Sequence, residues 1–310
     1  LDKQASPLVV IVGPTGVGKT ALAIEVARVL DGEIISADSR LFYRGMDIGT
    51  AKPSLAERRG IPHHLIDVVD PDETFSLAVF QREVTRLCAD IQSRGRLPFL
   101  VGGTGQYVMA VVEGWQAPAV RPAPELRAAL QTWTTEIGGD ALHERLALLD
   151  PPAAAAIDSR NVRRTIRALE VIFTSGQRFS DQRQKASPER RMLLVGLTCP
   201  RPVLYARIDR RIGSILSAGL VEEVKGLLER GFSPDLPSMS AIGYQEIGRY
   251  LQGQISLEEA IILMKRRTRQ FVRRQAAWFK PADPRIHWFT MDDRTVDDVI
   301  EWIRKELSDG

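Results

Sequence analysis

Five apolar residues, Leu8–Val12, run directly into Gly13-Pro14-Thr15-Gly16-Val17-Gly18-Lys19-Thr20. A strand, then G-x-x-x-x-G-K-[ST], then a helical pattern leaves a chain few options. The glycines let backbone N–H groups approach phosphate oxygens, and the lysine supplies a mobile positive charge. The threonine hydroxyl is placed to help hold Mg²⁺, and the helix points its positive dipole end at the same spot. A plain strand-to-helix turn explains the glycines but not Lys19-Thr20. The loop is expected to bind a chain of phosphates, and by itself it does not say what they are attached to.

Strand and helix patterns alternate after the loop. Strands are expected at Leu8–Val12, 33–37, 64–69 and Leu97–Val101. Helices are expected at 18–30, from a Ser76 cap to about Gly95, and from Gly102-Gly103-Thr104 to about Gly114. This order predicts a parallel sheet covered by helices on both faces. Ligands of such sheets lie beyond the carboxyl ends of the strands, where the loop, Asp38-Ser39 and Gly102-Gly103-Thr104 all fall. Pro118, Pro122 and Pro124 interrupt the pattern at 116–124, and from Glu125 to about Ser180 the text is helical without a strand. A strand at 191–198 should rejoin the sheet. Three helices follow, at 202–217, 221–230 and from Ser256, capped with Glu259, to about Lys280. A strand at 285–290 and a helix at 295–307, capped by Thr295 with Asp298, close the chain. The expected organisation is a P-loop NTPase-like α/β core in 1–116, an inserted all-helical subdomain in 117–190, and completion of the core with basic helices in 191–310.

With 310 residues, 44% of them apolar and 26% charged, the chain suffices for one large domain or two smaller ones. No apolar run is long enough to span a bilayer, and no charged-then-apolar leader opens the chain. Cys88 and Cys199 lie far apart without metal-ligand spacing, which predicts free thiols in a reducing cytoplasm. The adjacent His63 and His64 cannot share a strand face, so no metal site is expected there. The net charge of +3 hides two basic clusters. One holds Arg160, Arg163, Arg164 and Arg167; the other holds Lys265, Arg266, Arg267, Arg269, Arg273, Arg274 and Lys280. They fit a polyanionic partner, with a solvated helix face and pairing to neighbours such as Glu170 as the plainer alternative.

Asp38 follows the second strand and would face the crevice. A carboxylate there can accept a hydrogen bond from an amine or hydroxyl and take its proton, or it can merely cap a turn. The segment after it, Tyr43-Arg44-Gly45-Met46-Asp47-Ile48-Gly49-Thr50-Ala51-Lys52, is too individual for a generic turn. A nucleotide hydrolase of this fold needs an apolar strand ending in Asp or Glu. Here Leu97–Val101 ends in Gly102-Gly103-Thr104, and Asp67 is the nearest substitute.

Taken in order, GPTGVGKT, ISADSRLFYRGMDIGTAKP, PHHLID, LVGGTGQY, RRTIRALEV, GLVEEV, AIGYQE and TRQFVRRQAAWF resemble the bacterial tRNA dimethylallyltransferase (tRNA isopentenyltransferase) family, from Val9 to about Phe279. The resemblance implies transfer of a dimethylallyl group from dimethylallyl diphosphate to the exocyclic N6 of the adenosine on the 3′ side of the tRNA anticodon, releasing diphosphate. It implies that residues 13–20 hold the diphosphate with Mg²⁺, helped by Thr20. Asp38 would be the general base, with Thr104 and Arg211 completing the catalytic set. Contacts to the anticodon stem-loop would come from Asp38-Ser39-Arg40-Leu41, Thr104, Arg127, Arg163-Arg164-Thr165-Ile166-Arg167 and Ser240-Ala241-Ile242-Gly243-Tyr244-Gln245. A cytoplasmic monomer is expected. Phe271, Trp278 and Phe279 are expected in the core.

Two positions depart from many relatives. Leu41 replaces a glutamine, which removes a side-chain bond to the adenine, and Ser240 stands where some relatives have a basic residue. The competing reading is a P-loop nucleotide or small-molecule kinase, which leaves the helical insert and both basic clusters without a task. A non-catalytic RNA-binding protein and a transferase for free adenine nucleotides are further alternatives.

Overall fold

The computed structural model describes residues 7–115, 120, 123–182 and 190–309. The chain divides into two compact units. One comprises Leu1–Val112 with Pro188–Gly310, and the other Glu113–Ser187.

The first unit is built on six parallel strands: β1 (Leu8–Val12), β2 (Gly32–Ser36), β3 (His63–His64), β4 (Leu97–Val101), β5 (Met192–Thr198) and β6 (Ile286–Thr290), in the order β3-β2-β4-β1-β5-β6. β1, β2 and β4 are buried along their whole length, as strands covered on both faces of a parallel sheet are; β1 and β4 are apolar throughout, while β2 also buries Glu33 and Ser36. β1 lies at the centre, with Val9 opposite Phe99 of β4 and Leu193 of β5. Helices α1 (Lys19–Val29), α2 (Leu77–Ser93) and α3 (Gly105–Val112) belong to the first stretch of this unit. Ser76 caps α2 by accepting from the Val79 amide at 3.3 Å.

The second unit holds α4 (Pro124–Ile137), α5 (Gly139–Leu149), α6 (Pro151–Ala156) and α7 (Val162–Ser175), and no strand among its described residues. Leu130, Leu142, Leu146, Ile157, Ile166, Leu169 and Phe179 form its own core. Pro124 begins α4, while most of the proline-bearing segment at 116–124 falls outside the described residues.

The first unit resumes with α8 (Arg201–Ser217), α9 (Leu220–Glu229), α10 (Tyr244–Leu251), α11 (Leu257–Trp278) and, after β6, α12 (Thr295–Ser308). Ser256 and Glu259 form the expected capping box of α11.

Three expectations are corrected. The strand expected at 64–69 shrinks to His63–His64, because Leu65 and Asp67 take positive φ and only a single bridge, Tyr43 to Val69, continues the pairing. α10 was not expected; it starts at Gly243, whose amide is accepted by Glu246 at 2.8 Å, so no Ser, Thr, Asp or Asn marks its start. Thr295 does not cap α12. Its hydroxyl accepts from the Asp292 amide and donates to the Thr290 carbonyl, tying the preceding turn instead.

Candidate active site

The loop after β1 turns sharply at Gly13, with φ of +148°, where an added Cβ would lie 2.5 Å from the Leu197 carbonyl oxygen. Only glycine tolerates both the conformation and the approach. α1 opens at Gly18 without a side-chain cap. The amides of Gly18, Lys19, Thr20 and Ala21 find no acceptor among the described residues. These orphan donors at a helix start, with the dipole behind them, form a ready anion cradle. Lys19 folds back over it, donating from Nζ to the carbonyls of Gly13 at 3.0 Å and Pro14 at 2.9 Å. Burial pushes its ammonium down to about 8; Asp38 works against this and Arg211 adds to it.

Two arginines reach this cradle from α8. Arg211 donates from Nη2 to the Thr50 carbonyl at 2.8 Å, and burial lowers its pKa against the pull of Asp38. Arg207, one helical turn earlier, donates to the Val17 carbonyl at 3.0 Å. Arg207 is a site residue not expected from the sequence; its four-residue offset from Arg211 was the available signal.

Asp38 stands on the other side. Its Oδ1 accepts the Arg40 amide at 3.0 Å, so one oxygen does cap a turn. Oδ2 has no hydrogen bond among the described residues. Beside it, Thr104 Oγ1 accepts from the Ser39 amide at 3.2 Å. Two cavities meet here. The larger, about 1230 Å³, is lined by the loop from Thr15 to Thr20, by Asp47, Ile48 and Thr50–Lys52, and by Arg207. The smaller, about 400 Å³, is lined by Ser39, Arg40, Thr104, Ser240–Ile242, Arg267, Phe271 and Arg274. Asp38, Arg211, Thr15, Thr50 and Ile215 line both. Leu41 lines the larger cavity.

The segment 47–52 is clamped from two directions. The Glu223 carboxylate accepts from the amides of Asp47, Ile48 and Gly49 at 2.9, 2.7 and 3.1 Å. Lys52 is nearly buried and pairs with both Asp47 and Asp67. Asp67, the one candidate for a hydrolase-like metal carboxylate, is thereby engaged. Arg40 ties down the turn at 237–240 by donating to Pro237 and Ser238 carbonyls and to Ser240 Oγ. Exposed Ser240 is held both by the guanidinium of Arg40 and by its own hydroxyl, which donates to the Pro237 carbonyl at 2.6 Å.

Gln275 was also missed. Buried on α11, it accepts from the Thr15 amide and donates to the Gly103 carbonyl, both at 2.8 Å. Phe279 is buried as expected, but Phe271 lines the smaller cavity and Trp278 is 40% exposed. Trp278 packs over Gly105, where an added Cβ would touch its ring at 2.1 Å, and leaves part of its surface open.

Elsewhere in the first unit Gly243 and Tyr244 are buried and line neither cavity, whereas Ala241, though nearly buried, lines the smaller cavity with Ile242, and Gln245 is exposed. The basic run of α11 is partly engaged: Arg267 pairs with Glu246 and Gln245, and Arg269 holds Asp209 with two bonds. In the helical unit, Arg127 and Arg167 both donate at 2.7 Å to the buried carboxylate of Glu170. Burial pushes the Glu170 carboxyl up, but these bonds and the Ala123 amide outweigh it and leave it below its ordinary range. Arg163 and Arg164 are exposed, whereas Thr165 and Ile166 are buried.

No cluster of three or more His, Cys, Asp or Glu able to hold a metal occurs among the described residues. The hard oxygen of Thr20 at the cradle fits the sparse donor set from which Mg²⁺ is held, the remainder coming from phosphate oxygens and water.

An anion cradle, a carboxylate at the end of the neighbouring strand and arginines from a facing helix, on an all-parallel sheet, define an α/β protein of the P-loop NTPase-like class. A model of the family described as IPP transferase matches residues 41–282, and the chain belongs to that family. It is 57% identical over 274 residues to the tRNA dimethylallyltransferase of Roseiflexus sp. (strain RS-1), covering 88% of this chain and 90% of the relative. It is 51% identical over 312 residues to that of Thermomicrobium roseum, covering 99% and 94%. Among solved structures it is similar to the full-length tRNA isopentenylpyrophosphate transferase of Bacillus halodurans, with a TM-score of 0.74 and 44% identity over 98% of this chain and 97% of the other. It is also similar to a eukaryotic dimethylallyltransferase acting on tRNA, with a TM-score of 0.80 and 29% identity over 97% and 77%.

Proposed function

We propose that this protein transfers a dimethylallyl group from dimethylallyl diphosphate to N6 of the adenosine on the 3′ side of the anticodon in tRNA, releasing diphosphate. The observation that carries the reading is the position of Asp38 and Arg211 on the lining of two cavities at once. The larger cavity takes the donor, with its diphosphate on residues 13–20. The smaller takes the adenine, turned out of a single-stranded loop where unstacking costs least.

An exocyclic adenine amine is a weak nucleophile, so the donor must be activated at its allylic carbon. Asp38 Oδ2 accepts the N6 proton and orients the lone pair. N6 forms a bond to C1 of the donor while the C1–O bond breaks and its electron pair leaves with the diphosphate. Lys19, Arg211 and the amides of 18–21 stabilise the charge growing on that leaving group. Mg²⁺ held by Thr20 would supply further charge neutralisation to the diphosphate. The hydroxyl of Thr104 fixes the backbone beside Asp38 through the Ser39 amide.

Exposed cations are the natural contacts for tRNA phosphates. Arg163 and Arg164 of the helical unit, and Arg266, Arg273 and Arg274 of α11, fill that role. Ser39, Arg40, Ser240, Ile242 and Gln245 would meet the anticodon loop nearer the base. Arg127 and Arg167 act mainly by shaping the helical unit around Glu170. The protein acts as a monomer in the cytoplasm.

The kinase reading is weaker on two grounds: β4 ends in Gly102-Gly103 rather than a carboxylate, and Asp67 is held by Lys52. The experiment is incubation with unmodified tRNA, Mg²⁺ and dimethylallyl diphosphate, followed by digestion and mass spectrometry. Adenosine carrying one five-carbon unit is expected. Turnover of ATP with unchanged RNA mass would replace this reading with the kinase.

A further inference from the structure

We infer that Gln275 is a positioning residue for the donor diphosphate, and that its carboxamide holds the phosphate loop in register with the Gly102–Thr104 turn; this rests on the donor-binding reading above. The residue is 3% exposed and lies 260 residues from Thr15 and 172 from Gly103. Its Oε1 takes the Thr15 amide and its Nε2 takes the Gly103 carbonyl. One acceptor and one donor on a single short planar group is what a neutral primary amide offers. A carboxylate would face the Gly103 carbonyl with a second acceptor and place a negative charge under the diphosphate. An ammonium would have no acceptor for Thr15.

The packing around Gln275 is built for it. A Cβ at Gly103 would lie 2.3 Å from Nε2, so only glycine leaves room for the carboxamide. Consuming the Thr15 amide points the cradle's remaining donors, from Gly18 onward, at the ligand. The next residue along from Gly103 is Thr104, which bonds the Ser39 amide beside Asp38. The same helix brings Arg267, Phe271 and Arg274 to the smaller cavity. One buried side chain therefore joins the donor loop, the backbone next to the base, and the helix on the acceptor side. A loop held less firmly binds the diphosphate less well because the binding must then supply the ordering.

The test is steady-state prenylation with dimethylallyl diphosphate and unmodified tRNA, using wild type, Gln275→Met, Gln275→Glu and Gly103→Ala. Gln275→Met is expected to raise KM for the donor about tenfold, the scale of one or two buried hydrogen bonds, while KM for tRNA stays within about twofold. Gln275→Glu is expected to show the same defect at pH 8 and to recover toward wild type at pH 6. The protonated acid again donates to Gly103 and carries no charge, and a merely structural role does not produce that recovery. Gly103→Ala is expected to raise the donor KM in wild type and to add less than about twofold in a Gln275→Ala background, where the close approach to Nε2 is gone and the Gly13 carbonyl oxygen, at 3.5 Å, is in ordinary contact with the added Cβ. Donor KM within about twofold of wild type in Gln275→Met or in Gly103→Ala overturns the inference, as does an equal rise in both KM values or a Gln275→Glu defect that ignores pH. Should the Gln275 variants not fold, Gly103→Ala decides alone, since it removes no buried partner. A wild-type protein that forms no prenylated tRNA overturns the donor reading itself and this inference with it.

Discussion

The phenol of Tyr244 donates to the carboxylate of Glu223 at 2.5 Å, deep in the first unit. Burial first, then the Glu223 charge, pushes the Tyr244 hydroxyl far above its ordinary range, so it remains a donor at any working pH. The same carboxylate holds the amides of 47–49, and the next residue, Thr50, offers its carbonyl to Arg211. A line of contacts thus runs from the start of α10 to a cation in the site.

Tyr244→Phe deletes one donor to a charged acceptor and leaves three. A loss of about 1–2 kcal/mol in urea unfolding is expected, with kcat/KM for the donor reduced. Glu223→Gln should cost more activity, because an amide nitrogen must then face one of the backbone N–H groups. Unchanged kcat/KM in both would show that Arg211 needs no such support.

Asp38→Asn keeps the turn bond to Arg40 but removes the proton acceptor. Turnover should fall about 10²–10⁴-fold, the usual range for a general base, while tRNA affinity by filter binding stays within a few-fold. A parallel collapse of tRNA affinity would reassign Asp38 to the architecture of the turn.

Lys19 carries a testable pH signature. Its ammonium is lowered to about 8, so above that pH Lys19 is increasingly neutral. A bound anion favours the charged form, and binding must then take up a proton. Pyrophosphate affinity should therefore fall as pH rises through about 8. Lys19→Arg stays charged and should lack that decline. Calorimetry of both proteins across pH 7–9 checks it, and superimposable profiles would contradict it.

The two kinds of arginine in the helical unit should separate. Arg163→Ala should lower the slope of log affinity against log salt by about 0.7 on a single-stranded loop, with little change in stability. Arg167→Ala should instead destabilise, by about 1–3 kcal/mol, because Glu170 is buried and loses one of its two arginines. Thermal unfolding and salt-titrated tRNA binding distinguish the two outcomes.

At the amino ends of the strands, Glu33 is buried among His64, Arg94 and Arg96. Burial raises its pKa, but the bonds from His64, Arg96 and Arg94 more than reverse this and leave it lowered. A lowered carboxyl stabilises the fold above its unfolded value, and that contribution is lost as pH falls through the folded one. Glu33→Gln should flatten the stability–pH curve on the acid side, read from urea midpoints between pH 3 and 6. An unaltered acid limb would remove Glu33 from the account.

Much of the site was legible in the chain because it is local. A strand, a glycine loop, Lys19 and Thr20 occupy one continuous stretch, and backbone conformation there follows from neighbouring residues alone. Asp38 and the all-parallel alternation of strands and helices were readable for the same reason. α10 escaped because its start is marked only by a glycine and a glutamate that acts three residues later. The grip of Gln275 on Thr15, of Glu223 on 47–49 and of Arg127 on Glu170 could not be read at all. These partners are joined by burial of a shared core, which brings distant segments together with no period or spacing in the sequence. Short-range sterics and periodicity thus set which chemistry this protein carries; only the tertiary packing settled which charged groups stay open to a ligand and which are spent holding the others in place.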